Sequence, residues 1–275
     1  MTVTIKKKLT QREQSILLYV YENRVVTKKQ IYQIYFEYIP TGQAICRNIL
    51  NKLSTYRYLK RDTNKFYTLD KAGLEFIRQY LGIIELKPQI KPTAHLIETN
   101  NFKNALIVAC RNNKTLFLKD FKSYYNHKEL LEDRAIFIHV PDAMFLLQKE
   151  QKHYLLFLEI DRGTENSGKY LRMIRWYINY FSGGYFRKTY KGFNVAFCLI
   201  VVPNDDRMKH MRQKATEIVD RRQIEIIDNL KDIDLCKHYL KYLWITTKDN
   251  IKPEWIFTKV WKSLDINDEV NYGIT

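Results

Sequence analysis

Three carboxylates near the middle of the chain are spaced so that they can converge. Asp142 follows Pro141 within AIFIHVPDAMFLL, and Glu159 and Asp161 close the run HYLLFLEID. Both runs are β-rich, and the polar KEQK between them reads as the turn of an antiparallel hairpin. The separation, 159 − 142 = 17 residues, lets two neighbouring strands bring the acids together. Glu159 and Asp161 are two residues apart and so leave the same face of their strand. Acids gathered in this way repel one another unless a cation neutralises them. An all-oxygen set suits Mg²⁺ or Mn²⁺, which can activate water and stabilise phosphate oxygens during phosphodiester cleavage. The expectation is a metal site at Asp142, Glu159 and Asp161. Lys169, in the first turn of the next helix, would supply positive charge or orient the water, and Arg162 is its rival. Structural readings stand beside these. Asp142 can be a turn residue after proline, Arg162 can pair with Glu159 or Glu165, and Lys169 and Arg172 can be solvated helix charges.

Other chemistries fare worse. The six histidines include no closely spaced pair, which argues against a histidine-held metal working with a tyrosine nucleophile, despite twenty tyrosines. Tyr177 and Tyr180 have the helical spacing of core residues, and Tyr185 reads as core or as a stacking residue. No GxxxxGK[ST] phosphate loop is present, which excludes an ATP-driven motor of that kind. Cys46, Cys110, Cys198 and Cys236 form no CxxC pair, so neither a zinc site nor a disulfide framework is expected.

The elements around these residues divide the chain. In the first eighty residues, Thr10 caps QREQSILLYVYE, where Ile16, Leu17, Val20 and Tyr21 form one apolar face. A short link at 23–26 leads to TKKQIYQIYF, capped by Thr27. A second link with Pro40 and Gly42 leads to QAICRNILNKLSTY. YLKR and KFYTL then pair around Asp62–Asn64, and LEFIRQYL follows. Three helices, a basic hairpin and a further helix is the order of a winged helix-turn-helix, whose third helix enters the major groove. Gln43, Arg47, Asn48, Asn51 and Lys52 would face base edges, and Arg57, Lys60, Arg61 and Lys65 would meet phosphates at the wing. The same fold can instead serve dimerisation or protein contact.

Residues 83–93, IIELKPQIKPT, carry two prolines and no periodic pattern and read as a linker between domains at 1–82 and 94–275. The second domain shows a helix to about Arg111 and LFLKDF as a strand, followed by the hairpin. After it come the helix GKYLRMIRWYINYF, the strand NVAFCLIVVP, a basic helix with Arg207, Lys209, Arg212, Lys214, Arg221 and Arg222, and EIIDN as a short strand. A strand or turn and a last helix are expected within WITTKDNIKPEWIFTKVWKSL. This is an α/β domain with a mixed central sheet. The basic helix reads either as the lining of a DNA path or as a solvated face.

Lysine and arginine number 46 against 30 acids, a formal charge of +16, so a polyanion partner is expected, with nucleic acid first. The basic N-terminal run lacks a following apolar core, and the longest apolar stretch, around Val195–Val202, is strand-length. An intracellular, cytoplasmic setting without membrane partners is expected.

The runs VPDAMFLL and FLEIDRGTE, followed by a helix with GKY and the tyrosine-rich WYINYF, resemble the replication-relaxation family of plasmid and mobile-element proteins. The layout is also similar to MobC-type plasmid mobilisation relaxases. The resemblance covers the chain from its first helix to about Val202 and implies a winged helix joined to a domain of the PD-(D/E)XK nuclease kind. It implies a relaxase-like endonuclease that binds and nicks double-stranded origin DNA, as in plasmid replication or conjugation. Single-stranded DNA after nicking and other transfer or replication proteins would be further partners. Asp142 and Glu159 would be the metal-binding acids of that pattern. Asp161 departs from it, standing where such a nuclease has lysine, so either Lys169 replaces that lysine or the domain binds DNA without cutting it. The alternative is therefore a non-catalytic replication or transfer accessory protein with a degenerate nuclease fold.

Overall fold

The structure, a computed structural model, describes residues 8–82, 86, 93–123, 139–164, 166–184, 187, 190, 192–193, 195–220 and 233–274. It forms two compact units, Met1–Asn104 and Ala105–Thr275.

In the first unit, helix α1 (Gln11–Asn23) opens on a capping box. The Thr10 side chain accepts from the Glu13 amide while Glu13 accepts from the Thr10 amide. Strand β1 (Val26–Thr27) leads to α2 (Lys28–Tyr35), where Thr27 and Gln30 repeat the same reciprocal cap. Helix α3 (Gly42–Thr55), β2 (Leu59–Arg61), β3 (Phe66–Leu69) and α4 (Lys71–Leu81) follow. The three strands form an antiparallel sheet in the order β1-β3-β2. Strand β1 falls in the segment that the sequence presents as a link and as the cap of α2. Its two residues, Val26 opposite Tyr67 and Thr27 opposite Phe66, are too few to show a period. Ile16, Leu17, Val20, Ile31, Leu50, Leu53, Leu59 and Ile77 are buried as the core of this unit.

Two glycines permit close approaches. A Cβ on Gly42 would lie 2.1 Å from the Phe36 carbonyl oxygen, and one on Gly73 would lie 2.1 Å from that of Tyr58. The unit also takes in the start of α5 (Ala94–Asn112). Asn100 donates to the carbonyls of Asn23 and Val25, and Asn104 donates to that of Gln30 and accepts from the Tyr19 hydroxyl at 2.6 Å. The first unit thus extends to Asn104, beyond the linker expected at 83–93, most of which lies outside the described residues.

The second unit is built on a seven-stranded mixed sheet in the order β10-β9-β8-β7-β6-β5-β4. Strand β4 (Leu116–Ser123) pairs antiparallel with β5 (Ala143–Lys149), which forms a tight hairpin with β6 (Lys152–Ile160). Helix α6 (Ser167–Ser182) crosses over so that β7 (Val195–Val202) pairs parallel with β6. Helices α7 (Asp205–Asp220) and α8 (Ile233–Leu240) precede β8 (Leu243–Thr247), which is parallel to β7. One face of the sheet, with Met144, Leu155, Phe157, Cys198, Ile200 and Val202, packs against Tyr170, Ile174, Tyr177, Ile178 and Phe181 of α6 and Met211 and Ala215 of α7.

Two expectations for the C-terminal part change. The last helix does not form: Lys248–Asn250 make one 3₁₀ turn, and the chain ends in β9 (Trp261–Ser263) and β10 (Asn271–Tyr272). Trp261 and Ser263 are buried on either side of Lys262, the period of a strand, and Ser263 pairs with Trp244 of β8. The strand expected at EIIDN lies outside the described residues, as do Arg221 and Arg222. No helix among the described residues is long and apolar enough to cross a membrane.

Candidate functional site

The hairpin brings two of the three expected acids, Asp142 and Glu159, close enough to act on one another. Ala143, the first residue of β5, pairs with Leu158, and Asp142 lies just before that strand. The Asp142 amide donates to the Leu158 carbonyl at 3.0 Å, and the Asp142 carboxylate accepts from the Ile160 amide at 2.7 Å. Asp161 lies just past the end of β6, its amide donating to the Val201 carbonyl at 2.9 Å. Glu159 and Asp161 are each 7 % exposed, so these are interior charges that require partners.

The partners are protein groups. The Tyr177 hydroxyl on α6 donates to Glu159 Oε1 at 2.6 Å, and His139 Nε2 lies 2.7 Å from the same oxygen. Burial raises the Glu159 pKa, with the neighbouring Asp142 adding to it, against the opposing pull of His139 and Tyr177. Burial likewise raises that of Tyr177 well above its usual value. Asp161 accepts from the Gly163 amide at 2.8 Å and from Arg207 Nε on α7 at 2.5 Å. Asp161 and Arg207 form an ion pair with side chains 6 % and 18 % exposed.

Two of the three acids are engaged by side chains of the protein itself. Glu159 Oε1 is taken by two side chains, and Asp161 is neutralised by a guanidinium. Among the described residues, no group of three or more His, Cys, Asp or Glu side chains is arranged to hold a metal ion. Lys169 stands exposed in the first turn of α6, its amide donating to the Asn166 cap at 2.9 Å. Arg162 is exposed as well, and Glu159 takes His139 rather than Arg162.

His139, Tyr177 and Arg207 are the residues that the sequence does not announce as members of this site. Tyr177 reads as core, and it is: it is wholly buried, as Tyr180 nearly is, so its hydroxyl cannot act as a nucleophile on DNA. Arg207 reads as one charge on a basic helix. That helix also turns Arg212 inward, where it donates to the carbonyls of Ser263, Asp265 and Asp268, each at 2.8 Å. Lys214 pairs with Glu217 at 2.8 Å, and Lys209 is exposed.

In the first unit, Gln43, Arg47, Asn48 and Asn51 are all exposed on α3. Lys52 differs, being half-buried and turned to form an ion pair with the buried Glu13 of α1. Across the hairpin, Arg57, Lys60, Arg61 and Lys65 are exposed. Arg57 also reaches Asp70 at 3.2 Å, and Arg61 lies over the Tyr67 ring.

Comparison with known proteins gives a family model described as Replication-relaxation, which matches residues 17–196. No curated protein matches the chain. Among solved structures, the chain is similar to restriction endonuclease FokI bound to DNA, with 10 % identity and a TM-score of 0.27. That alignment covers 91 % of this chain and 45 % of the FokI chain, so the present chain spans less than half of it.

Proposed function

The chain belongs to the replication-relaxation family, and on that premise we propose that it is a DNA-binding accessory protein of plasmid replication or transfer. Its second unit is a nuclease-like domain that no longer holds a metal. The first unit is read as a winged helix-turn-helix. The order α1-β1-α2-α3-β2-β3-α4 and the β1-β3-β2 sheet support this, and α3 and the hairpin present an exposed basic and amide-bearing surface. The succession of α5, three antiparallel strands, α6 and a parallel β7 supports the reading of the second unit as PD-(D/E)XK-like. One observation carries the loss of metal: Asp142, Glu159 and Asp161 are each bonded by the protein's own donors.

A second reading, metal-dependent nicking of origin DNA, is favoured by the closeness of Asp142 to Glu159. Incubating the full chain with supercoiled origin plasmid in Mg²⁺ or Mn²⁺ separates the two. The accessory role predicts duplex binding with no nicked product. It also predicts that Arg47→Ala weakens binding by about 5- to 150-fold, as loss of one base-edge contact does. Divalent-dependent nicking that disappears in Glu159→Ala, with binding retained, would overturn it in favour of the enzyme.

A further inference from the structure

The second unit contains a cavity of about 220 Å³ lined by Phe181, Ser182, Gly184, Arg187, Val195, Ala196, His238, Tyr239 and Tyr242. It lies far from the acids. Val195 and Ala196 begin β7 and pair with Tyr154 and Leu155, whereas Glu159 pairs with Ile200 at the other end of the same strands. Five residues of parallel strand separate the two levels, roughly 16 Å.

The lining combines flat rings with positive charge. Tyr242 packs 6.4 Å from Phe181, 6.0 Å from Tyr239 and 5.4 Å from His238 between ring centroids, while Phe197 stacks on it at 5.7 Å. Tyr239 and Tyr242, both half-buried, line the cavity together with Arg187 and His238, which are exposed. Lys241, next to Tyr242 in the chain, is exposed too. The volume is below the roughly 300–1,000 Å³ of pockets for drug-sized ligands, which suits one flat ring system rather than a longer molecule. Ring faces that stack a base, beside cations that meet its phosphate, are the two components of single-strand binding.

We infer that this cavity is a second nucleic-acid site, which stacks one unpaired base of single-stranded DNA on Tyr239 and Tyr242 while Arg187 meets the adjoining phosphate. The test uses the full chain, a fluorescent oligo(dT) and the same oligomer carrying one 2-aminopurine. The unsubstituted protein is expected to bind both and to quench the 2-aminopurine on stacking. Tyr239→Leu, which keeps an apolar side chain against the core, is expected to weaken oligomer binding by about 5- to 150-fold, the range for one stacked base, and to abolish the quenching. Tyr239→Phe should restore both, and Arg187→Ala should weaken binding and flatten its salt dependence. Affinity for duplex DNA should be unchanged in all three. Oligomer binding that is absent in the unsubstituted protein, or equal in Tyr239→Leu, overturns the site. So does a parallel loss of duplex binding. Duplex binding that depends on Arg47 would still stand in each of the first two cases, so failure here is separable from failure of the accessory role.

Discussion

Asp161 and Arg207 show what the closed carboxylate site costs and contributes. Both are largely withdrawn from water, and Asp161 has only the Gly163 amide and the guanidinium as described partners. Replacing Arg207 by methionine keeps much of the volume but leaves a buried carboxylate uncompensated. The expected loss is about 3 kcal/mol, the low end for a broken buried pair because Arg207 retains some exposure. Urea unfolding of Arg207→Met, Asp161→Asn and the double variant measures it. The double variant should be more stable than Arg207→Met alone, whereas additive losses would mean that the pair is not coupled. At this scale the sequence is partly legible. A period of two leads one to expect Glu159 and Asp161 on one face, and a hairpin separation of 17 residues leads one to expect Asp142 near Glu159, which it influences. The occupants of those carboxylates are not legible. Tyr177 and Arg207 come from helices that follow, and Arg207 meets Asp161 from 46 residues away in the chain. Only the packing of α6 and α7 on the sheet brings them to the acids.

The elements of the first unit are held by local rules that the sequence displays, and by a close approach that it does not. Thr10 with Glu13 and Thr27 with Gln30 are capping boxes visible as spacing alone, and the turn at Asp62–Lys65 closes by the Lys65 amide donating to the Asp62 carbonyl. The role of Gly73 is invisible in the chain, because the Tyr58 carbonyl that it admits belongs to the segment leading into β2. A methyl group at Gly73 would overlap backbone rather than a side-chain tip, so α4 would have to move off the hairpin. Gly73→Ala is therefore expected to destabilise the protein by more than about 2 kcal/mol, even though alanine is the better helix former by about 1 kcal/mol. Thermal unfolding of the full chain decides this, and an unchanged or raised midpoint would show that α4 shifts at no cost. The last helix expected after β8 fails for a related reason. Its apolar residues could suit either period, and strand pairing of Trp244 with Ser263 chose between them.

Across the whole molecule, a charge of +16 would make the proposed DNA affinity a function of ionic strength. Each phosphate neutralised contributes about 0.9 to the slope of log affinity against log salt. Arg61→Ala, at the exposed end of β2, should weaken binding to every duplex by a similar factor and reduce that slope by about 1. A loss confined to one sequence would instead make Arg61 a reader of bases. Composition is enough to expect a polyanion partner, but not to say which cations reach it. Arg207 and Arg212, which the chain presents as members of one basic helix, are spent on Asp161 and on three backbone carbonyls. Lys52 is likewise spent on Glu13.

The extent of the first unit bears on any attempt to obtain it by itself. A protease cut or a gene truncation within 83–93 would remove Asn100 and Asn104. The carbonyls of Asn23, Val25 and Gln30 and the hydroxyl of Tyr19 would then lose the amides that satisfy them. The shortest fragment that keeps those bonds runs through Asn104.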